Sequence, residues 1–238
     1  MRVLLILTAL FSFSLSEAQV VSEQPDSITE QAPSKESGLR FFARGGVSLS
    51  YFGYNFEDTE LYDSNLLAGS NFGVGMQIPL GKKGTLILQP ELRFIQKGMR
   101  TKVGGGDSSA DRHDKVTFRH NYIEIPIELM HKMQMRKYWM EYGLGGFVAW
   151  GIGGKVNSHG VETFGDYDVS GNPSVYSDKI GFRRFDAGFT MEMNIGMGKW
   201  TVGVSGDTSL TQFHKRSSQK YVGNKNISAS FYLKYFIN

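Results

Sequence analysis

The 238-residue sequence predicts an all-β fold, an eight-stranded antiparallel up-and-down transmembrane β-barrel of the outer-membrane type. Three observations predict it. Long segments alternate apolar and polar residues with a period of two, and no segment sustains a helical period. The connections between these segments alternate between long polar loops and tight turns. An apolar run of the kind that directs export precedes the alternating part, and no membrane helix follows it.

The composition excludes several classes of protein. The chain has 29 glycines, 17 phenylalanines, 11 tyrosines and no cysteine, so a disulfide framework, a thiolate zinc site and an iron–sulfur cluster are excluded. The 40% of hydrophobic residues is too high for a disordered chain. The net charge of +3 is spread along the sequence, which is not the pattern of a nucleic-acid-binding protein. A mean hydropathy of −0.26 argues against a helical membrane bundle.

The N-terminal segment has the features of a secretory signal peptide. Arg2 is followed by an apolar run over 3–15, and small residues stand at Ser16 and Ala18 before Gln19. A transmembrane anchor is the alternative, but the run is too short to span a bilayer comfortably. We therefore expect a signal peptide over 1–18, a flexible lead-in over 19–38 and a barrel domain over 39–238.

Eight strands are expected in the barrel domain. The first three show weaker alternation over 39–52, 66–80 and 84–100. The fourth has apolar residues at every second position from Ile123 to Leu129, and the fifth from Tyr138 to Trp150. The sixth alternates from Phe185 to Ile195 against polar positions that begin at Arg184, and the seventh covers 199–213. The last is the clearest, with apolar residues at alternate positions from Ile227 to Ile237.

The connections between these strands indicate the orientation of the barrel. Long polar loops are expected over 53–65, 101–115, 155–179 and 214–225, and tight turns over 81–84, 134–137 and 198–199. An up-and-down order puts the loops at one rim and the turns at the other, as in barrels with short periplasmic turns and longer extracellular loops. An even number of strands also puts both ends of the barrel chain at the turn rim.

Period-two alternation does not itself say which face is inside, and a soluble lipocalin-type barrel is the alternative. Strand length and aromatic residues near the strand ends favour lipid on the outside. The expected aromatic positions are Phe41, Tyr138, Trp200 and Tyr235 at the turn rim, and Tyr51, Trp150, Phe182 and Phe213 at the loop rim. The polar face then lines the lumen, where we expect carboxylate–Arg/Lys pairs that fill it rather than a conducting pore. The expected lumen charges are Arg40, Arg44, Glu91, Arg93, Lys97, Glu124, Glu128, Glu141, Arg184, Asp186, Glu192 and Asp207.

Four motifs resemble the PorT-like outer-membrane β-barrel family of Bacteroidota. Residues 89–98 read QPELRFIQKG, 122–127 read YIEIPI, 142–147 read YGLGGF, and Asp186-Ala187-Gly188 follows on the sixth strand. The resemblance covers essentially the whole barrel. It implies an outer-membrane barrel and a link to the type IX secretion system, for which the family is named. Pro126 inside a strand motif suggests a local bulge or kink.

No catalytic, cofactor-binding or metal-binding residue is expected. None of His113, His120, His131, His159 and His214 begins a His-x-Ser motif, and His120 is expected to be structural, in a lumen pair. The glycines at 104–106 lack the Lys-Ser/Thr and helix of a phosphate loop. Glu162, Asp166, Asp168 and Asp178 lack a calcium-site spacing and are expected to be solvated.

The sequence favours a structural or accessory outer-membrane protein that is not an enzyme, and the PorT-like resemblance implies a role in type IX protein secretion. A small porin or solute transporter and an outer-membrane lipid-modifying enzyme are the alternatives. The expected partners are outer-membrane lipid, lipopolysaccharide and other outer-membrane or secretion-system proteins. Charge alone allows contact between lipopolysaccharide phosphates and the last loop, which carries Lys215, Arg216, Lys220 and Lys225.

Overall fold

The computed structural model describes residues 38–53, 62–81, 84–103, 114–164, 167–212 and 225–237. The predicted signal peptide and nearly all of the predicted lead-in lie outside these ranges and stay predictions. Within the described ranges, no helix has the length and apolar character needed to cross a membrane.

Eight antiparallel strands close into one barrel, as predicted. They are β1 (Arg40–Gly53), β2 (Tyr62–Leu80), β3 (Leu86–Val103), β4 (Asp114–Met135), β5 (Tyr138–His159), β8 (Phe185–Met197), β9 (Trp200–Ser209) and β10 (Lys225–Phe236). Two short strands, β6 (Thr163–Phe164) and β7 (Tyr167–Asp168), pair with each other between β5 and β8. The order around the barrel is β1-β10-β9-β8-β5-β4-β3-β2, so β10 closes the sheet on β1. Phe42 pairs with Phe236, which places the start and the end of the barrel chain at the same rim.

The hairpin of β4 and β5 is taller than the sequence predicted. Its pairing continues to Lys115 and His159, whereas β8 begins to pair with β5 only at Trp150. The loop predicted over 155–179 therefore starts after His159, not at residue 155. The part of β5 beyond Trp150 is rich in glycine and polar residues and has little apolar alternation, so the sequence pattern did not distinguish it from a loop.

The two faces of the barrel have the predicted polarity. Apolar side chains point outward, and the most exposed are Leu144 at 71% and Val202 at 65%. Phe41, Tyr138, Trp150, Trp200 and Tyr235 are exposed, and Tyr51 is partly exposed, in agreement with the predicted aromatic positions. Phe182 was wrongly placed at the lipid interface, because it is fully buried at the loop end of the barrel. Phe213 lies outside the described residues.

Of the two irregularities predicted at Pro126, a bulge or a kink, the bulge is wrong. Pro90 pairs with Ile127 and Arg93 pairs with Glu124, so no residue is inserted between these pairs. The ladder partners between them are missing, which fits the absence of an N–H group at the two prolines. The register shifts instead at Asn121 and Tyr122, and Pro126 itself stays in register with Phe147.

Candidate functional site in the barrel lumen and at its loop end

The barrel lumen is lined by the polar positions of the alternating strands. Ten of the twelve predicted lumen charges are buried: Arg44, Glu91, Arg93, Lys97, Glu124, Glu128, Glu141, Asp186, Glu192 and Asp207. Arg40 is partly buried. Arg184 was wrongly placed in the lumen, since it precedes the first residue of β8 and is exposed. Its guanidinium donates a hydrogen bond to the Gly151 carbonyl of β5, next to the point where β8 begins to pair with β5.

Four charged side chains meet in the central lumen. Glu124 forms ion pairs with Arg93 and with Lys97, whose Nζ lies 2.7 Å from Glu124 Oε2. Asp207, across the lumen, lies 2.9 Å from Arg93 Nη2 and 3.7 Å from Lys97 Nζ. All four side chains are at most 2% exposed. Two cations and two carboxylates thus neutralise one another, which confirms the predicted pairing of buried lumen charges.

A second cluster lies next to it and centres on Glu192. Arg44 Nη1 lies 2.7 Å from Glu192 Oε2, and Arg44 Nε lies 2.9 Å from Glu91 Oε1. Lys234 Nζ lies 2.6 Å from Glu192 Oε1. Lys234 was missing from the predicted lumen charges, although it lies between the outward apolar positions of the last strand. The signal was its alternation with apolar Leu233 and Tyr235.

The remaining lumen carboxylates accept hydrogen bonds from neutral side chains. Gln89 Nε2 donates to Glu128 at 3.0 Å and to Glu192 at 2.9 Å, and Gln77 donates to Glu141 at 2.8 Å. Asp186 accepts hydrogen bonds from Ser209, Thr211 and Asn226. Among the described residues, seven buried carboxylates therefore share the lumen with four buried cations.

An apolar cap covers the loop end of the lumen. The segment between β5 and β8 contributes Phe164, Tyr167, Val169, Val175, Ile180 and Phe182, which pack on Phe52, Met99, Val116, Phe118 and Val156 of the barrel strands. Backbone hydrogen bonds fix this segment along β5: Val156 N donates to Pro173 O, and Val175 N donates to Gly154 O. The predicted long polar loop is therefore, in this part, a folded element with a core of its own.

His120 lies directly beneath the cap. Its ring stacks on Phe182 at 5.2 Å and on Tyr122 at 5.9 Å, and contacts the edges of Phe52 and Tyr176. Neither ring nitrogen has a hydrogen-bond partner among the described residues. The predicted structural role fits this packing, but the predicted lumen pair does not form, because Glu124 is already held by Arg93 and Lys97.

The acidic side chains of the long loop do not converge. Asp168 pairs with Lys179 at 2.6 Å and accepts hydrogen bonds from Ser170. Hydrogen bonds from Lys179 and Ser170 lower the pKa of Asp168 to about 2. Glu162 and Asp178 are exposed, and Asp166 lies outside the described residues. In the described part of the chain, no three His, Asp or Glu side chains are grouped as metal ligands.

The other histidines and basic residues singled out in the sequence are dispersed. His131 contacts the Tyr142 ring on the outer face, and His159 is exposed at the end of β5. Lys225 is exposed at the start of β10. His113, His214, Lys215, Arg216, Lys220 and the glycines at 104–106 lie outside the described residues.

Several solved structures are similar to this chain at low sequence identity, and they include the outer membrane protein OprG. Ail, the attachment invasion locus protein of Yersinia pestis, is 11% identical with a TM-score of 0.40, and the match covers 84% of this chain and 99% of Ail. Neisserial surface protein A is 8% identical with a TM-score of 0.40, and the match covers 83% of this chain and 98% of that protein. OprG from Pseudomonas aeruginosa is 8% identical with a TM-score of 0.40, and the match covers 84% of this chain and 94% of OprG. Among curated proteins, none matches the chain.

A family model describes most of the sequence. Residues 18–215 match the outer membrane protein beta-barrel domain, which includes the first seven strands of the barrel, the cap and the central charge cluster. The outward-facing apolar side chains and the buried lumen charges agree with that location. The chain therefore belongs to the outer membrane protein beta-barrel domain family, whose barrels lie in the outer membrane.

Proposed function

We propose that the protein is a closed accessory barrel of the PorT-like type that serves type IX protein secretion through its loop-side surface. The observation that carries the proposal is the filled lumen, in which paired charges occupy the centre and an apolar cap covers the loop end. A barrel of eight strands has an interior just wide enough for its side chains. A solute would have to displace buried ion pairs, whose disruption is costly.

The motifs that carry the PorT-like resemblance support the same proposal. Gln89, Arg93 and Lys97 come from the QPELRFIQKG segment, and Glu124 and Glu128 come from the neighbouring strand. These side chains bond to one another across β3 and β4 inside the lumen. The residues that carry the resemblance thus supply contacts that fill the lumen, and the loop side is left to contact partners.

Planar-bilayer recording tests the closed lumen. The purified barrel is expected to insert without stepwise conductance, and flotation with liposomes shows that it has inserted. A matched control replaces one pair without changing the net charge, as Arg93→Ser with Glu124→Ser, and should conduct more than the wild type. Regular conductance steps from the wild type would contradict the closed lumen and favour the small-porin alternative.

A deletion strain tests the export role separately. Loss of the gene is expected to trap secreted cargo in the periplasm, and the wild-type gene supplied in trans should restore export. The mass spectrum of lipid A should stay unchanged. Normal secretion by the deletion strain would refute the export role, and altered lipid A would favour a lipid-modifying enzyme.

We also infer that residues 1–18 are a cleaved signal peptide. The basic start, short apolar run and small residues at Ser16 and Ala18 support it. N-terminal sequencing of the protein from outer membranes should begin at Gln19. A sequence that begins at Met1 would contradict cleavage.

A further inference from the structure

The outward side chains of β3, β4 and β5 change from apolar to polar toward the loop rim. The last outward apolar side chains on these strands are Phe94, Ile123 and Ile152. Beyond them on β3 and β4, Gln96 Nε2 donates a hydrogen bond to Asn121 Oδ1 at 3.0 Å on the outer face. This polar pair marks the end of the apolar surface toward the loop rim.

The length of the apolar surface places that end at the edge of the membrane. On β4 the outward positions from Met135 to Ile123 are apolar except for His131, a path of about 40 Å at about 3.3 Å per residue. A strand tilt of about 40° reduces this to about 30 Å of height, slightly more than the apolar band of about 25 Å in outer-membrane barrels. Residues beyond Asn121 therefore face the headgroup layer of the outer leaflet.

Four cations occupy this layer and form what we call the basic patch: Arg100, Lys115, Arg119 and Lys155. Arg119 stands directly opposite Lys155 in the ladder, and Arg100 stands opposite Thr117, diagonal to both Lys115 and Arg119. Arg100, Lys115 and Lys155 are exposed and Arg119 is partly exposed. Cross-strand neighbours at these positions lie within about 8 Å of each other.

The basic patch makes no ion pair with any side chain that the structure describes. Arg119 Nε has no hydrogen-bond partner among the described residues. Thr117 and Asn157 on the outer face beside the patch are neutral. In the same ladders Lys102 stands opposite Lys115, and Asp63 stands opposite Lys102, so cations still outnumber carboxylates around the patch. Like charges directly opposite each other destabilise a sheet. An anion held between them would reverse that effect.

We propose that the basic patch binds the phosphate groups of lipopolysaccharide in the outer leaflet. Lipopolysaccharide phosphates are the polyanions present at this depth, beside an outward-facing surface. Arginine forms paired hydrogen bonds with phosphate, and basic clusters at a membrane surface recognise anionic lipid headgroups. This site differs from the last-loop lysines considered in the sequence, and it does not depend on the proposed export role.

Lipid A binding to the barrel in phosphatidylcholine nanodiscs tests the proposal. The variant Arg100→Gln, Arg119→Gln, Lys155→Gln is compared with the wild type by titration with bisphosphoryl lipid A at low salt. Each cation near a lipid surface changes affinity about fivefold, so the triple variant should bind about 100-fold more weakly. Higher salt should weaken wild-type binding more than variant binding, because fewer charge contacts remain in the variant.

A matched control removes three exposed cations from the opposite rim, as Arg136→Gln, Lys137→Gln, Lys199→Gln. It should bind bisphosphoryl lipid A like the wild type, and dephosphorylated lipid A should not distinguish the wild type from the patch variant. Heat-modified migration on gels confirms that every variant is a folded barrel. Equal lipid A affinity of wild type and patch variant, or an equal loss in the control, would overturn the proposal. Unchanged lipid A binding with weakened binding of an acidic polypeptide would instead assign the basic patch to a protein partner.

Discussion

Glu124 is the carboxylate whose removal should disturb the lumen most. It forms ion pairs with both Arg93 and Lys97, and all three side chains are buried. The change Glu124→Gln keeps the size and the hydrogen-bonding atoms of the side chain but removes its charge. Two buried cations would then share Asp207 alone, which lies 2.9 Å from Arg93 but 3.7 Å from Lys97.

The expected effect is a large loss of stability. Removing one partner of a buried ion pair lowers the free energy of unfolding by about 3–5 kcal/mol, because an uncompensated charge stays buried. Since Asp207 still neutralises part of the charge, we expect a loss of about 3 kcal/mol for Glu124→Gln. Adding Lys97→Met removes the second cation at similar volume and should restore more than half of that loss.

Reversible urea unfolding in lipid vesicles, followed by tryptophan fluorescence, measures this free energy. Glu162→Gln removes the same charge from an exposed loop position and serves as the control, with a change of less than about 0.5 kcal/mol. A loss below about 1 kcal/mol for Glu124→Gln, or no recovery in the double variant, would refute the view that paired charges stabilise the lumen.

Three further predictions concern the cap, the long loop and the lipid face. Phe182→Ala removes a buried ring, so the free energy needed to open the cap should fall by about 3–5 kcal/mol. Hydrogen exchange should become faster at the Val156 and Val175 amides and stay unchanged in β9. Because the folded pKa of Asp168 is lowered to about 2, its contribution to loop order is complete above about pH 4 and is lost as the pH falls toward 2. NMR of the loop amides should show that transition, and Asp168→Asn should abolish it. Leu144→Arg places a charge on the lipid face and should lower the free energy of unfolding in vesicles by about 2–4 kcal/mol, whereas a water-exposed position would tolerate it.

Local alternation was enough to predict the barrel strands, because successive side chains in a strand point to opposite faces of the sheet. Glu91, Arg93 and Lys97 all point inward, as the even spacing between them requires. The loop lengths then gave the up-and-down order, since a tight turn joins neighbouring antiparallel strands. Arg184 shows the limit of this reasoning, because alternation says nothing about the residue at which a strand begins.

The partners inside the lumen could not be read from the sequence. Arg44 and Glu192 are 148 residues apart and meet only because the sheet closes. The sequence around a residue indicates whether that residue is polar and faces the lumen. Which side chain it contacts across the lumen depends on the register of all eight strands.

The cap is the part that sequence reasoning missed. Its apolar residues are separated by Gly, Asp, Ser and Asn and have no regular period, so the segment has the composition of a solvated loop. Val169, Val175 and Phe182 become a core only when the segment lies along β5 and meets Phe118 from the barrel. A cluster assembled from such distant positions leaves no short-range pattern.

The most direct test of the lipid-facing barrel is a spin-label scan of β5. The chain has no cysteine, so single-cysteine variants at 144, 146, 147, 148 and 149 carry one label each. In bilayers, oxygen should reach the labels at 144, 146 and 148 far more readily than those at Phe147 and Ala149, which are buried in the barrel. The opposite alternation, or a water-soluble reagent reaching 144, 146 and 148 most readily, would contradict a barrel with lipid outside and paired charges within.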